Sequence, residues 1–497
     1  MHLPQPCTLS IALLSASSTL LQAAAALPVA STSPYSSLGP DAVDGLIMDT
    51  PPPSQQYHID PDPAPVPQTR LDVDGYPPAP PGLALAQVHV YVRHGERTPV
   101  GVRLNTGPAP VPEHWMLCNA AHAFRGAVAD LLPPAAADED APFRKVVERK
   151  DGTPADGQCL LGELTDVGRE STYAYGRALR ALYIDRLAFL PPTLPAADAS
   201  ALVYFRSTHA PRTLASLQHI MRGMYPPATW AGGKGPVLRV RNAKDETLSG
   251  NALACPKLRS LLYSFAQAAA AAHNTTLAPL DATLSKYLNG APLRVDGSPR
   301  ASGVMDTVRA ARAHGIAVPP PLSDARVVRV IEAAVVAEWF GGYRTEGVRR
   351  LGMGPLLGEL GAKLAAMAGE GRGARLLVHS GHDAGLAALL ATLDVFDDAW
   401  PEFTASITFE LFSRTDAAPQ RGPVLQRVMA TLGRSAPADH YVRMRYQNKN
   451  MVLPLCAGAG DHLPGHPEFC TLAKFRARVA ELAPSDWQGE CAVVDSP

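Results

Sequence analysis

The chain has 497 residues, 46 % of them apolar, with 45 basic and 46 acidic side chains and a formal net charge of −1. This is a globular composition, long enough for a large core or for more than one domain. The charge balance excludes a broadly cationic, nucleic-acid-binding surface, so any affinity for anions must come from a few placed arginines.

The amino-terminal run "LSIALLSASSTLLQAAAALPVA" is apolar and ends in small residues, which predicts a signal peptide over residues 1–26. Ser15, Ser17, Ser18 and Thr19 interrupt it, so a stable membrane span is not expected after cleavage. The expected destination is the secretory pathway or the cell exterior. Residues 27–82 are rich in Pro, Ser and Asp and read as a linker or pro-segment, placing the folded body at 83–497. Cys7 leaves with the signal; Cys118, Cys159, Cys255, Cys456, Cys470 and Cys491 remain, an even set that fits three disulfides. Cys456 and Cys470 flank a short Gly/Pro/His-rich loop and form the best single pair. Asn274, in "AHNTTLAP", heads the one N-glycosylation sequon.

In "HVYVRHGERTPV", Val88, Val90 and Val92 alternate with His89 and Tyr91, the period of a strand, and Gly95 and Pro99 end it. Further on, "LTDVGRESTYAYGRALRALY" has helical spacing, with Thr165 as its N-cap. "ALVYFRSTHAPRTLASLQHIMRGMYP" reads as strand, turn and helix, and so does "GARLLVHSGHDAGLAALLATL". Between them, about 234–330, the chain is Ala-rich and helix-prone. The Gly-rich "GEGRGA" at 369–374 precedes a strand, where a nucleotide-binding loop would precede a helix, so it reads as a turn. Strands alternating with helices predict an α/β sheet carrying a helical insertion.

Three strand-to-turn junctions end in charge: Arg93, His94 and Arg97; then Arg206; then His382 and Asp383. Strands lying side by side would open all three onto one end of the sheet. Three guanidiniums there form a forked receptor for a phosphate dianion. His94 among them is a nucleophile for phosphoryl transfer, with the arginines stabilising the equatorial oxygens. Asp383 can protonate the leaving oxygen. Arg212, in the helix after "STHAP", either holds the turn through carbonyls or touches substrate. His379 and His382 have a metal-pair spacing, but on a strand and a turn their side chains diverge, and no carboxylate or cysteine pattern supports zinc. Neither metal nor cofactor is expected.

"RHGERTP" resembles the R-H-G-x-R-x-P signature of the histidine acid phosphatases. "GELTDVGRESTYAYGRALR" is similar to that family's L-T-x-x-G helix, "FRSTHAPRTLAS" to its R-S-T-x-x-x-R-T segment, and "SGHDAGLAALL" to its His-Asp element. "GQCLLGELTDVG" and "GHDAGLAALLATLDVFDDAWPEF" look most like the lysophosphatidic acid phosphatase subgroup. The resemblance implies a three-layer, phosphoglycerate mutase-like α/β sheet with helices on both faces, and a mainly helical inserted domain. It implies metal-free hydrolysis of small phosphate monoesters through a phosphohistidine on His94. Arg93, Arg97 and Arg206 would clamp the phosphate, His382 would add a contact, and Asp383 would be the proton donor. Phytase or lysophosphatidic acid phosphatase specificity stands open, as do a phosphotransferase and a non-catalytic phosphate-binding relative. Two positions depart from the family pattern: His209 where an acid is common, and Glu96, expected to point away from the pocket or to pair with an arginine.

Overall fold

Strand β1 (Leu83–Arg93) buries two different faces at alternate residues. Val88, Val90 and Val92 enter one apolar cluster with α1 (Asp166–Arg180) and α2 (Pro211–Met224), through Tyr175, Leu179, Leu217 and Ile220. Tyr91 enters another, on the opposite side of the sheet. A strand buried on both faces has to be covered by helices on both faces. Described here is a computed structural model covering residues 70–492 apart from 121–122, 125–142, 197–198, 233–234 and 416–439. The predicted signal peptide and most of the Pro-rich segment lie outside those residues.

In chain order the remaining framework is β2 (Val203–Ser207), β3 (Leu238–Arg239), α3 (Pro256–Leu277), α4 (Ala301–Ala313), α5 (Ala325–Phe340), α6 (Gly354–Glu370), β4 (Leu376–Gly381), α7 (Asp383–Thr392), β5 (Ser406–Arg414), β6 (His440–Tyr446), β7 (Lys449–Met451), β8 (His462–Leu463), β9 (His466–Thr471) and α8 (Leu472–Leu482). These nine strands form one mixed sheet in the order β8-β9-β6-β5-β1-β4-β2-β3, with β7 on β6. β1, β4, β2 and β3 run parallel, while β5, β6 and β9 continue the sheet antiparallel. The carboxyl ends of β1, β4 and β2 are therefore neighbours. Helices α6, α7 and α8 cover the Tyr91 face, with Leu357, Leu360, Leu389 and Phe475 buried against it.

Helices α3, α4 and α5 build a separate core around Leu277, Val304, Val308, Ile331 and Val335, joined by Leu104, Val111 and Trp115 from the loop after β1. These helices make up the mainly helical part beside the α/β sheet, and α5 runs to Phe340. The folded body starts earlier than expected. Tyr76 is buried, and its hydroxyl donates to Glu410 Oε1 at 2.8 Å. Tyr183 donates to the same oxygen at 3.0 Å, and Arg443 Nε donates to Glu410 Oε2 at 2.8 Å. Arg443 also reaches the Pro77 carbonyl at 2.9 Å, so the segment from Arg70 to Pro81 straps a fully buried ion pair.

Disulfides join Cys118–Cys159, Cys255–Cys491 and Cys456–Cys470, the last being the pair expected from sequence. Asn274 lies in the last turn of α3, its amide donating to Asp296 at 2.8 Å and accepting from Val295 N at 2.9 Å. Gly371 and Gly373 both take positive φ between α6 and β4, so "GEGRGA" is a turn. Among the described residues no helix is long and apolar enough to cross a membrane.

Candidate active site

Two glycines bring the loop after β1 against the start of α1. A β-carbon on Gly95 would sit 2.4 Å from the Gly168 carbonyl oxygen, and one on Gly168 would sit 2.1 Å from that of Glu96. Only glycine permits such an approach of backbone to backbone. Thr165 caps α1 as expected, accepting from Gly168 N at 3.2 Å, and its hydroxyl also donates to the Glu96 carbonyl at 3.2 Å. His94 is then fixed on both sides. Its N–H donates to the Gly381 carbonyl of β4 at 3.0 Å, and its carbonyl accepts from Thr404 N at 3.2 Å.

The His94 ring is buried, with Nδ1 2.8 Å from the Gly95 carbonyl oxygen. A carbonyl can only accept, so Nδ1 carries the proton and Nε2 keeps its lone pair. Burial, followed by the charges of Arg212, Arg93 and Arg97, holds this imidazole well below its ordinary range. It is therefore neutral, and a nucleophile, into the acid range.

Arg93 donates from Nη1 to the Pro401 carbonyl at 2.7 Å, pairs through Nη2 with Asp383 at 2.6 Å, and lies 4.0 Å from the Phe403 ring centroid. Arg97 pairs with Asp306 of α4 at 2.8 Å and donates to the Thr98 carbonyl at 2.9 Å. Burial draws Arg93 down to about 10, which leaves it cationic at any pH the site would work at. Asp383 is the first residue of α7, and its Oδ1 accepts from Ala384 N at 2.9 Å, while Oδ2 accepts from Trp400 Nε1 at 2.9 Å. Burial alone would raise this carboxyl, but Arg93, Arg97 and the Trp400 indole outweigh it and hold it well below the carboxylate range. His382 stands across from His94, ring centroids 5.7 Å apart, with Nε2 3.0 Å from the Thr208 hydroxyl and Nδ1 3.4 Å from Arg212 Nη2. Burial and then the Arg212 charge keep it neutral.

Arg206 is not in this group. On β2 it pairs with His379 of β4, and strand alternation turns it to the face of Tyr204 rather than that of Phe205. Its guanidinium is buried in ion pairs with Glu246 and with Glu359 of α6, the latter at 2.9 Å, and it donates to Thr247 Oγ1 at 3.0 Å. The third guanidinium at His94 is Arg212, the second residue of α2, for which holding the turn was the alternative to touching substrate. The Nε–H groups of Arg93, Arg97 and Arg212 are buried without a protein partner, as is that of Arg206, but only these three arginines are close enough for their charges to act on His94. His379 points elsewhere, stacked on Tyr91 with centroids 4.6 Å apart, so it diverges from His382. Glu96 is buried but is held by the Ser171 hydroxyl rather than by an arginine. His209 is exposed in the turn after β2.

Asp306, Trp400 and Phe403 are the site residues that sequence reasoning missed. Trp400 and Phe403 fall in "DDAWPEF", within the stretch that carried the family resemblance. Asp306 comes from the inserted helices and had no local signal.

Residues 84–447 match the profile of the histidine phosphatase superfamily, branch 2. A probable acid phosphatase of Schizosaccharomyces pombe is 35 % identical over 446 residues, spanning 83 % of this chain and 95 % of its own. The human lysophosphatidic acid phosphatase type 6 is 27 % identical over 352 residues, 67 % of this chain and 75 % of its own. Among solved structures, the apo phytase of Hafnia alvei superposes with a TM-score of 0.52 at 15 % identity, covering 84 % of this chain and 100 % of its own; that likeness is one of fold.

Proposed function

Because the chain belongs to the histidine phosphatase superfamily, branch 2, we propose that it is an acid phosphatase that hydrolyses phosphate monoesters through a phosphohistidine on His94. The observation that carries this reading is a neutral His94 whose Nδ1 is bound to the Gly95 carbonyl, leaving Nε2 for phosphorus, with the charges of Arg212, Arg93 and Arg97 acting on its ring. Arg212 takes the clamping role that sequence had given to Arg206, and His382 adds a neutral contact.

Nε2 of His94 attacks phosphorus in line, forming the N–P bond as the ester P–O bond breaks. The three guanidiniums neutralise the charge on the equatorial oxygens. Asp383 supplies the proton for the leaving oxygen. In the free site it is ionised against Arg93, so it must first gain that proton. A phosphate monoester below pH of about 6 is a monoanion and brings one with it. As the phosphate draws the arginines to itself, their hold on Asp383 weakens and its carboxyl can take the proton. Water then attacks the phosphohistidine, giving its proton to Asp383, and inorganic phosphate leaves.

Secretory-pathway residence is part of the proposal, supported by three disulfides and by the apolar amino-terminal run. A glycan on Asn274 would displace its hydrogen bond to Asp296, so the sequon is expected to be filled before α3 packs, or not at all. The test is phosphate release from an aryl phosphate between pH 3 and 8 by the wild type and His94→Ala. Metal-independent activity in the acid range that the substitution abolishes is the expected result. Phosphate binding without turnover by the wild type would refute it.

A further inference from the structure

The turn after Cys159 lies against the arginine clamp. A β-carbon on Gly162 would be 3.5 Å from Val100 Cγ1 and 3.8 Å from Arg212 Nη1. Beside that glycine, Leu160 and Leu161 are 54 % and 50 % exposed, and Val100 across from them is 37 % exposed.

This exposure belongs to a turn that is tied down. The Cys118–Cys159 disulfide anchors its start. Leu160 N donates to Glu163 Oε2 at 2.8 Å, the Thr98 hydroxyl donates to the Leu160 carbonyl at 2.7 Å, and Gly162 N donates to the Pro99 carbonyl at 2.9 Å. Two leucines held toward water on a braced turn, next to a cationic pocket, form the complement of an anion with an apolar body.

Charge at the same rim works against a second anion. Lys145 is bound to Glu163 at 2.7 Å, and Arg309 to Glu332 at 3.2 Å and to Glu402 at 2.7 Å. The Asp306 carboxylate sits on Arg97 and also accepts from Val100 N at 2.9 Å, so it borders both the clamp and the apolar rim. A leaving group with further phosphates would face that carboxylate, and each of these flanking cations already holds one. Specificity here includes a repulsive element as well as an attractive one.

We infer that Leu160, Leu161 and Asp306 select phosphate monoesters whose leaving group is uncharged and apolar, an alkyl or aryl alcohol, and reject polyphosphorylated ones. This rests on the phosphomonoesterase reading and narrows its substrate class. The experiment compares kcat/KM for phenyl phosphate, ethyl phosphate, hexyl phosphate and inositol hexakisphosphate at one acid pH, all below any micellar concentration. The wild type is expected to prefer hexyl over ethyl phosphate about 16-fold, roughly twofold for each of the added methylenes laid on a half-exposed rim. It should turn over the hexakisphosphate at least about 100-fold less efficiently than phenyl phosphate. Leu160→Ser/Leu161→Ser should erase the chain-length preference and leave ethyl phosphate within about twofold. Asp306→Asn should raise the ratio of hexakisphosphate to phenyl phosphate turnover about tenfold, whatever it does to either alone. Equal wild-type efficiency on hexakisphosphate and phenyl phosphate, or no gain from ethyl to hexyl, would overturn the inference and leave the phosphatase reading standing. No phosphate release from any of the four would refute the phosphatase reading and the inference with it.

Discussion

At His94 the hydrogen bond from Nδ1 fixes which nitrogen carries the proton, while burial and then the surrounding positive charge keep Nε2 unprotonated. The acid limb of kcat/KM should therefore fall well below pH 6.5, and the alkaline limb should follow loss of the substrate monoanion near pH of about 6. A pH–rate profile with its acid limb at the ordinary histidine value would contradict this. Asp383→Asn should lower kcat by about 10² to 10⁴ for an alkyl phosphate, and by much less for a nitrophenyl phosphate, whose leaving group needs no acid. Arg206 of β2 and Arg212 of α2 should separate cleanly. Arg212→Ala is expected to lower kcat/KM at least about 100-fold with the fold intact. Arg206→Ala leaves Glu246 without its buried partner and Glu359 with Arg241 alone, and should cost about 3 kcal/mol in chemical denaturation. The strand's period could have told them apart: Phe205 faces the α1/α2 core, so Arg206 has to face the other way. Arg212 is in the first turn of a helix that begins just beyond the strand's carboxyl end, where a side chain can reach the site.

At the scale of elements, the catalytic loop depends on its contact with α1. Gly168→Ala places a methyl group against the Glu96 carbonyl, so it should destabilise by about 2 kcal/mol or more and lower activity as the loop shifts. Thr165→Ala removes the cap and should cost about 1 kcal/mol in thermal or chemical unfolding, with a smaller effect on turnover. These elements were legible because each combines a strand-period apolar run, a Gly- or Pro-bearing turn and a helix start within one short stretch. Asp306 was not. It reaches Arg97 from α4, more than 200 residues along the chain, and nothing local in "GVMDTVRAA" distinguishes a carboxylate facing a pocket from one facing water.

Across the whole molecule, acid activity and acid stability pull apart. His89 is buried and drawn down to about 3 by burial and the Lys363 charge, and burial draws His314 to about 4. Both are neutral when folded, while the unfolded chain protonates its histidines below about pH 6.5. The unfolded state then binds more protons, so stability is full above that pH and is lost as pH falls toward 4 and 3. Differential scanning calorimetry should find Tm falling by at least about 5 °C from pH 7 to pH 4, with His89→Gln flattening part of that slope. A Tm that rises toward acid would contradict the assignment of these rings as neutral. The α/β class and the helical insertion were readable from alternation and from the Ala-rich run. The antiparallel half of the sheet and the docking of Tyr76 onto Glu410 and Arg443 were not, because both depend on pairings far apart in sequence.

The central claim is that phosphate passes through His94. Rapid acid-free quenching of the enzyme with phosphorus-labelled nitrophenyl phosphate, whose leaving group needs no acid, followed by peptide mapping, tests it directly, with Asp383→Asn included to slow breakdown of the intermediate. The account predicts an acid-labile, base-stable phosphoryl label on the peptide containing His94, absent from His94→Ala. Steady turnover with no label on that peptide, or with label on another residue, would contradict it.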